Sequence, residues 1–182
     1  MRVKFLCTES FSLIEIFVVF SLLSLLFILG LPCFSFFDRF LLRAETEKLY
    51  TTIVFLQQRS IASGQEQRLI LNTTENSYSY NVHSKTITTH FLNKEIVFGF
   101  LEGANGPPAE PKKLIRESVT FTKAEDNSKN CMVVFREEGK ISSGTIYLRN
   151  KRKNYMMAIT CPISQVSWVR KYSYDNRWVL ER

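Results

Sequence analysis

The sequence predicts an α+β protein in which one long N-terminal helix packs on a β-rich head of two small antiparallel sheets. Three observations carry that prediction. The stretch from Ile16 to Phe37 is 22 residues without a charge, the stretch from Asp38 to Ser63 has apolar residues near heptad spacing, and after Gly64 the pattern alternates with a period of two. At 182 residues, 45% apolar and 23% charged, the chain has room for one folded domain plus an appendage and is too apolar to be disordered.

The charge-free run, IFVVFSLLSLLFILGLPCFSFF, is long enough as a helix to cross a bilayer core of roughly 30 Å. A cleaved secretory signal fits poorly. Its apolar core would span about 7–15 residues and end in small residues, whereas this run continues into Phe34, Phe36 and Phe37. An ordinary membrane anchor fits length and hydropathy but leaves Glu15 unexplained. A charge near the bilayer centre costs about 2.5–3.5 kcal/mol and needs a partner, yet no Lys or Arg lies between Lys4 and Arg39. Cleavage between Ser10 and Phe11 would supply one, because the new α-amino group stands four residues before Glu15, one helical turn away on the same face. In a filament the amine can equally belong to a neighbouring subunit.

Ser10-Phe11-Ser12-Leu13-Ile14-Glu15-Ile16-Phe17-Val18-Val19 resembles the prepilin signature of type IV pilins and type II secretion pseudopilins. In that signature a short basic leader, here with Arg2 and Lys4, precedes Phe, a Glu at the fifth mature position and about twenty apolar residues. Pro32, just after Gly30, falls where many of these proteins carry a helix-loosening proline. Ser10 departs from the pattern, since the family usually has Gly there. The resemblance implies a leader at 1–10, a transmembrane half-helix at 11–37, a soluble amphipathic half at 38–63 and a head at 64–182. It also implies cutting by a prepilin peptidase after Ser10, N-methylation of Phe11, an assembly role for Glu15 and a kink at Pro32. The implied partners are other pseudopilins, the peptidase, an inner-membrane assembly platform and membrane lipid, and the implied location is the bacterial inner membrane, single-pass, with the head in the periplasm.

Past the apolar run, Leu42, Leu49, Ile53, Leu56 and Ser60 form the heptad stripe, which Phe55 and Ile61 are expected to widen. Gly64 makes a good C-cap. From Phe11 to Ser63 one helix would be about 80 Å long, bent where Pro32 removes a backbone bond. The alternative is two helices joined through Pro32 to Phe37.

Beyond Gly64, strands are predicted at 68–72, 78–83, 85–91, 95–101, 118–123, 131–136, 144–149, 155–161 and 166–169, with a loop at 102–113. Phe135-Arg136-Glu137-Glu138-Gly139, then Gly144-Thr145-Ile146-Tyr147-Leu148, then Tyr155-Met156-Met157-Ala158-Ile159 resembles the F-x-x-x-G, G-x-I-x-L, apolar-strand order of H-type minor pseudopilins and FimT-like minor pilins. With the helix end Gln57-Gln58-Arg59-Ser60-Ile61-Ala62, the resemblance spans nearly the whole chain; residues 75–118 match only as strand patterning.

No catalytic set emerges, so the chain reads as a structural protein and not an enzyme, with no cofactor and no metal. His83 and His90, seven apart, would lie on opposite faces of a straight strand, which suits exposed or hairpin histidines better than ligands. No C-x-x-C pair is present. Cys7 leaves with the leader and Cys33 lies in the apolar run, so Cys131 and Cys161 remain, either as a disulfide in an oxidising compartment or as two buried thiols. The formal charge is +7; Arg2, Lys4 and Glu9 of the leader account for a net +1, leaving +6. Lys151, Arg152 and Lys153 cluster in a turn. Arg170, Lys171, Arg177 and Arg182 lie near the end beside Tyr172, Tyr174 and Trp178, and basic residues interleaved with aromatics can grip nucleic acid. Two readings therefore compete: a pseudopilus component of type II secretion, and a FimT-like minor pilin that binds DNA during uptake. A solvated basic face meeting acidic partner subunits accounts for the charge in the first.

Overall fold

The computed structural model describes residues 12–30, 33–83, 86–106, 112–124, 130–162 and 168–181. Its contacts divide the chain into two units, the first ending at Phe37 and the second beginning at Asp38.

In the first unit the unbroken apolar sequence folds into α1 (Leu13–Gly30). Where one helix is expected from Phe11 to Ser63, the described residues carry α1 as far as Gly30 and α2 (Cys33–Ser63) from three residues later. A Gly followed two residues on by a Pro is a stop signal by sequence, since Gly is a weak helix former and Pro lacks the amide. Among the described residues no helix is long and apolar enough to cross a membrane. The described residues thus carry two helical elements, and the join between them, at 31–32, lies outside the described residues. The kink assigned to Pro32 lies outside the described residues, as do Ser10 and Phe11.

In the second unit, the stripe on α2 is buried as the spacing requires: Leu42, Leu49, Ile53, Leu56 and Ser60 are all at or below 2% exposure. Thr46 completes it, also fully buried, because its hydroxyl donates to the Leu42 carbonyl at 2.8 Å and so enters the core with its polar group satisfied. Phe55 and Ile61 do not widen the stripe. They are exposed at 46% and 55%, lying off the 42, 46, 49, 53, 56, 60 line. The helix ends at Gly64, whose φ of 57° is the left-handed conformation a C-cap needs.

Among the described residues ten strands follow: β1 (Gln67–Asn72), β2 (Ser77–His83), β3 (Thr86–Phe91), β4 (Ile96–Phe98), β5 (Thr122–Lys123), β6 (Asn130–Phe135), β7 (Gly144–Asn150), β8 (Met156–Cys161), β9 (Arg170–Tyr174) and β10 (Trp178–Glu181). They form two five-stranded sheets of antiparallel pairs, ordered β3-β2-β1-β6-β5 and β10-β9-β8-β7-β4. Leu69, Leu71, Val133 and Phe135 of the first sheet and Ile146, Leu148, Met157 and Ile159 of the second join the α2 stripe in one core. At about 1.5–3 kcal/mol per fully buried aliphatic side chain, that cluster is the main stabilising term of the head.

The segment predicted as a strand at 118–123 changes sheets instead. Tyr147 N bonds Ser118 O and Thr120 N bonds Thr145 O in the second sheet, while Thr122 pairs with Met132 in the first. The second sheet is apolar on both faces. Away from α2, Tyr147, Met156 and Ala158 pack with Ala104 and Ile115 and with half-buried Phe100, Leu101, Tyr172, Tyr174 and Trp178. This explains why every residue of β8 is buried.

Candidate functional site

Glu15 sits in the first turn of α1. Ser12 precedes the helix, and its carbonyl accepts the Glu15 amide at 2.9 Å and the Ile16 amide at 3.2 Å. Ser12-Leu13-Ile14-Glu15 has the S-x-x-E spacing of a capping box, and a carboxylate here also faces the positive end of the helix dipole. The sequence reading considered only a partner amine; the capping spacing was the overlooked signal. Every described side chain from Ser12 to Ile28 is exposed, including Phe17, Phe20 and Phe27 at 73%, 68% and 76%.

The basic C-terminal surface is more committed than its composition suggests. Lys171, on β9, pairs with Glu47 of α2 and lies 4.6 Å from the Tyr50 ring centre, with its side chain only 14% exposed. Arg152 pairs with Asp38 at 3.3 Å, Lys153 with Glu102 at 3.2 Å, and Arg43 reaches Glu181 on β10 at 3.0 Å. Arg170 points outward, its guanidinium 3.9 Å from the ring centre of Trp168, and Arg177 is exposed in the β9–β10 turn. The aromatics have structural work of their own. Trp178 Nε1 donates to the carbonyls of Asn105 at 2.9 Å and Gly106 at 2.7 Å, and its ring meets Tyr174 edge-on at 5.0 Å. Of the three proposed nucleic-acid contacts, Arg170 and Arg177 are thus presented to solvent and Lys171 is engaged.

The glycines of the head motif have specific causes. Gly139 has φ of 77°, a Cβ on it would stand 2.6 Å from Ile61 Cδ1, and its carbonyl accepts Gln57 Nε2 at 2.8 Å. The C-terminal end of α2 therefore rests directly on the turn after β6. At Gly144 a Cβ would enter the Phe121 ring at 2.6 Å. Both positions need Gly because another element lies against the backbone.

Cys131 on β6 and Cys161 on β8 belong to opposite sheets and are buried thiols, so of the two alternatives the disulfide is not formed. Their sulfurs lie 4.0 Å from the Val119 carbonyl and 3.9 Å from the Ile141 carbonyl. Burial pushes the Cys131 thiol pKa up, Glu117 adds to this, and Lys123 opposes it. His90 packs between Tyr78 and Tyr80, at 5.3 and 5.8 Å between ring centres. Among the described residues no cluster of His, Cys, Asp and Glu could hold a metal.

These elements define an α+β protein whose amphipathic helix backs two antiparallel sheets. No family model and no curated protein matches the chain. Among the solved structures that resemble it are two of the minor pseudopilin EpsH from the type II secretion system of Vibrio cholerae. One has a TM-score of 0.49 at 10% identity, covering 72% of this chain and 96% of that one. The other has 0.47 at 13%, covering 72% and 92%. With both scores below 0.5, the functional reading rests on this chain's own residues.

Proposed function

We propose that the chain is a minor pseudopilin, processed after Ser10 and assembled with other pseudopilins into the inner-membrane filament of a type II secretion system. One observation carries this reading: α1 is apolar around its whole circumference and exposed around its whole circumference, with Glu15 in its first turn as its single charge. A helix apolar on all sides must bury itself in lipid or among other helices. A lone carboxylate near the chain start then selects one binding partner, the amine of Phe11 on the same or the next subunit. The amphipathic α2, by contrast, satisfies its apolar stripe within its own head, so α1 is the element left for the membrane and the filament. The FimT-like reading keeps Arg170 and Arg177 as its exposed cations.

The test is Glu15→Ala in cells that express the other filament subunits and the peptidase. The variant should be cleaved like the wild type but fail to cross-link into the filament. Normal incorporation of Glu15→Ala would rule out the assembly role.

A further inference from the structure

A second surface, independent of filament entry, lies where β4 ends one sheet and β5 ends the other. The two edges are separated by an open cleft of about 810 Å³. Phe98, Phe100 and Val119 contribute apolar walls. Arg116, Lys123, Arg149 and Lys153 line it too, against the carboxylates Glu102 and Glu117. Lys153 and Glu102 pair with each other, which leaves three cations facing Glu117 alone. Among the described residues, Arg116, Lys123 and Arg149 make no ion pair.

Arg149 is held in place before any ligand arrives. A Cβ at Gly99 would stand 2.7 Å from Arg149 Nε and 3.3 Å from its Cδ, so the missing side chain lets the arginine stem lie along the backbone. Arg149 Nη1 also donates to the Asn150 carbonyl at 3.3 Å. A fixed guanidinium loses less rotamer entropy on binding and favours carboxylates, which it can grip with two parallel bonds.

We propose that this cleft binds an acidic, partly apolar peptide segment of a partner protein. A single small anion would leave the apolar walls uncovered. A phosphodiester strand, charged at every step, would be opposed by Glu102 and Glu117, whereas a peptide can set its carboxylates against Arg116, Lys123 and Arg149 and its apolar side chains against Phe98 and Phe100. Recognition runs through side chains and not strand addition, because the Phe98 amide of edge strand β4 already donates to Asn76 Oδ1 at 2.9 Å.

The experiment measures fluorescence anisotropy of the full chain in detergent with a labelled decapeptide of alternating Glu and Leu. The peptide should bind at low salt. Arg116→Gln with Lys123→Gln, both at exposed positions, should weaken binding by about tenfold or more, the scale of one or two lost charge-assisted bonds. Gly99→Ala should weaken it several-fold by displacing only the Arg149 side chain, while Lys151→Gln, outside the cleft, should change nothing. The proposal is overturned if the peptide does not bind, if a Lys/Leu decapeptide binds as well, or if the cleft variants bind like the wild type. Displacement by equimolar inorganic phosphate or single-stranded DNA would overturn it as well.

Discussion

Gly139 and Gly103 both have positive φ, 77° and 81°, but a Cβ would meet the Ile61 side chain at Gly139 and nothing within 4 Å at Gly103. Replacing each by Ala therefore separates backbone strain from packing. Gly103→Ala should cost about 1 kcal/mol, the strain alone, and Gly139→Ala about 1–2 kcal/mol because the Ile61 side chain must also move. Denaturant midpoints of the two variants check this, and equal losses would remove the contact from the account. A second residue-scale expectation concerns pH. Burial raises the pKa of Cys131 above 9.0 and of Tyr78 above 10.0, with the Thr52 hydroxyl opposing at Tyr78. The unfolded chain gives up these protons first. Stability is therefore fully present below about pH 9 and falls as pH rises through the folded values. Thermal melts from pH 8 to 11 should show the decline, and Cys131→Ala should flatten its first part.

The elements differ in how openly the sequence announces them. In α2 the stripe was legible because five of its six buried positions are apolar or small at helical spacing; Thr46 was missed because a threonine enters a core only when its hydroxyl finds a carbonyl, which sequence does not display. Leu56→Ala in that stripe should cost about 2–5 kcal/mol, read as a lower denaturation midpoint. Strands β1, β2, β3, β6, β7 and β8 fall close to their predicted spans. The C-terminal hairpin was not anticipated: a strand is expected at 166–169, of which 166 and 167 lie outside the described residues, and the hairpin strands are β9 (Arg170–Tyr174) and β10 (Trp178–Glu181). Charges at Arg170, Lys171, Asp175 and Arg177 hid an alternation in which Tyr172, Tyr174 and Trp178 share one face. The turn signal was Asp175-Asn176, where Asn176 takes φ of 57°. This hairpin also decides the nucleic-acid alternative. If the head grips duplex DNA, Arg170→Ala with Arg177→Ala should lower the salt slope of binding by roughly 0.9 per lost phosphate contact, while Lys171→Ala should mainly destabilise the β9 contact with α2. No binding at low salt would remove that alternative.

For the whole molecule, the head buries its own apolar surface and α1 does not. The order of Phe11, Glu15 and the charge-free run is the sequence's signal for a leader, which lies outside the described residues. Whether the chain is a processed filament subunit is read from the mass of its N-terminal peptide after co-expression with a prepilin peptidase. Processing gives a chain that begins at Phe11 with a methylated amine. A membrane-extracted protein that still begins at Met1 would contradict it.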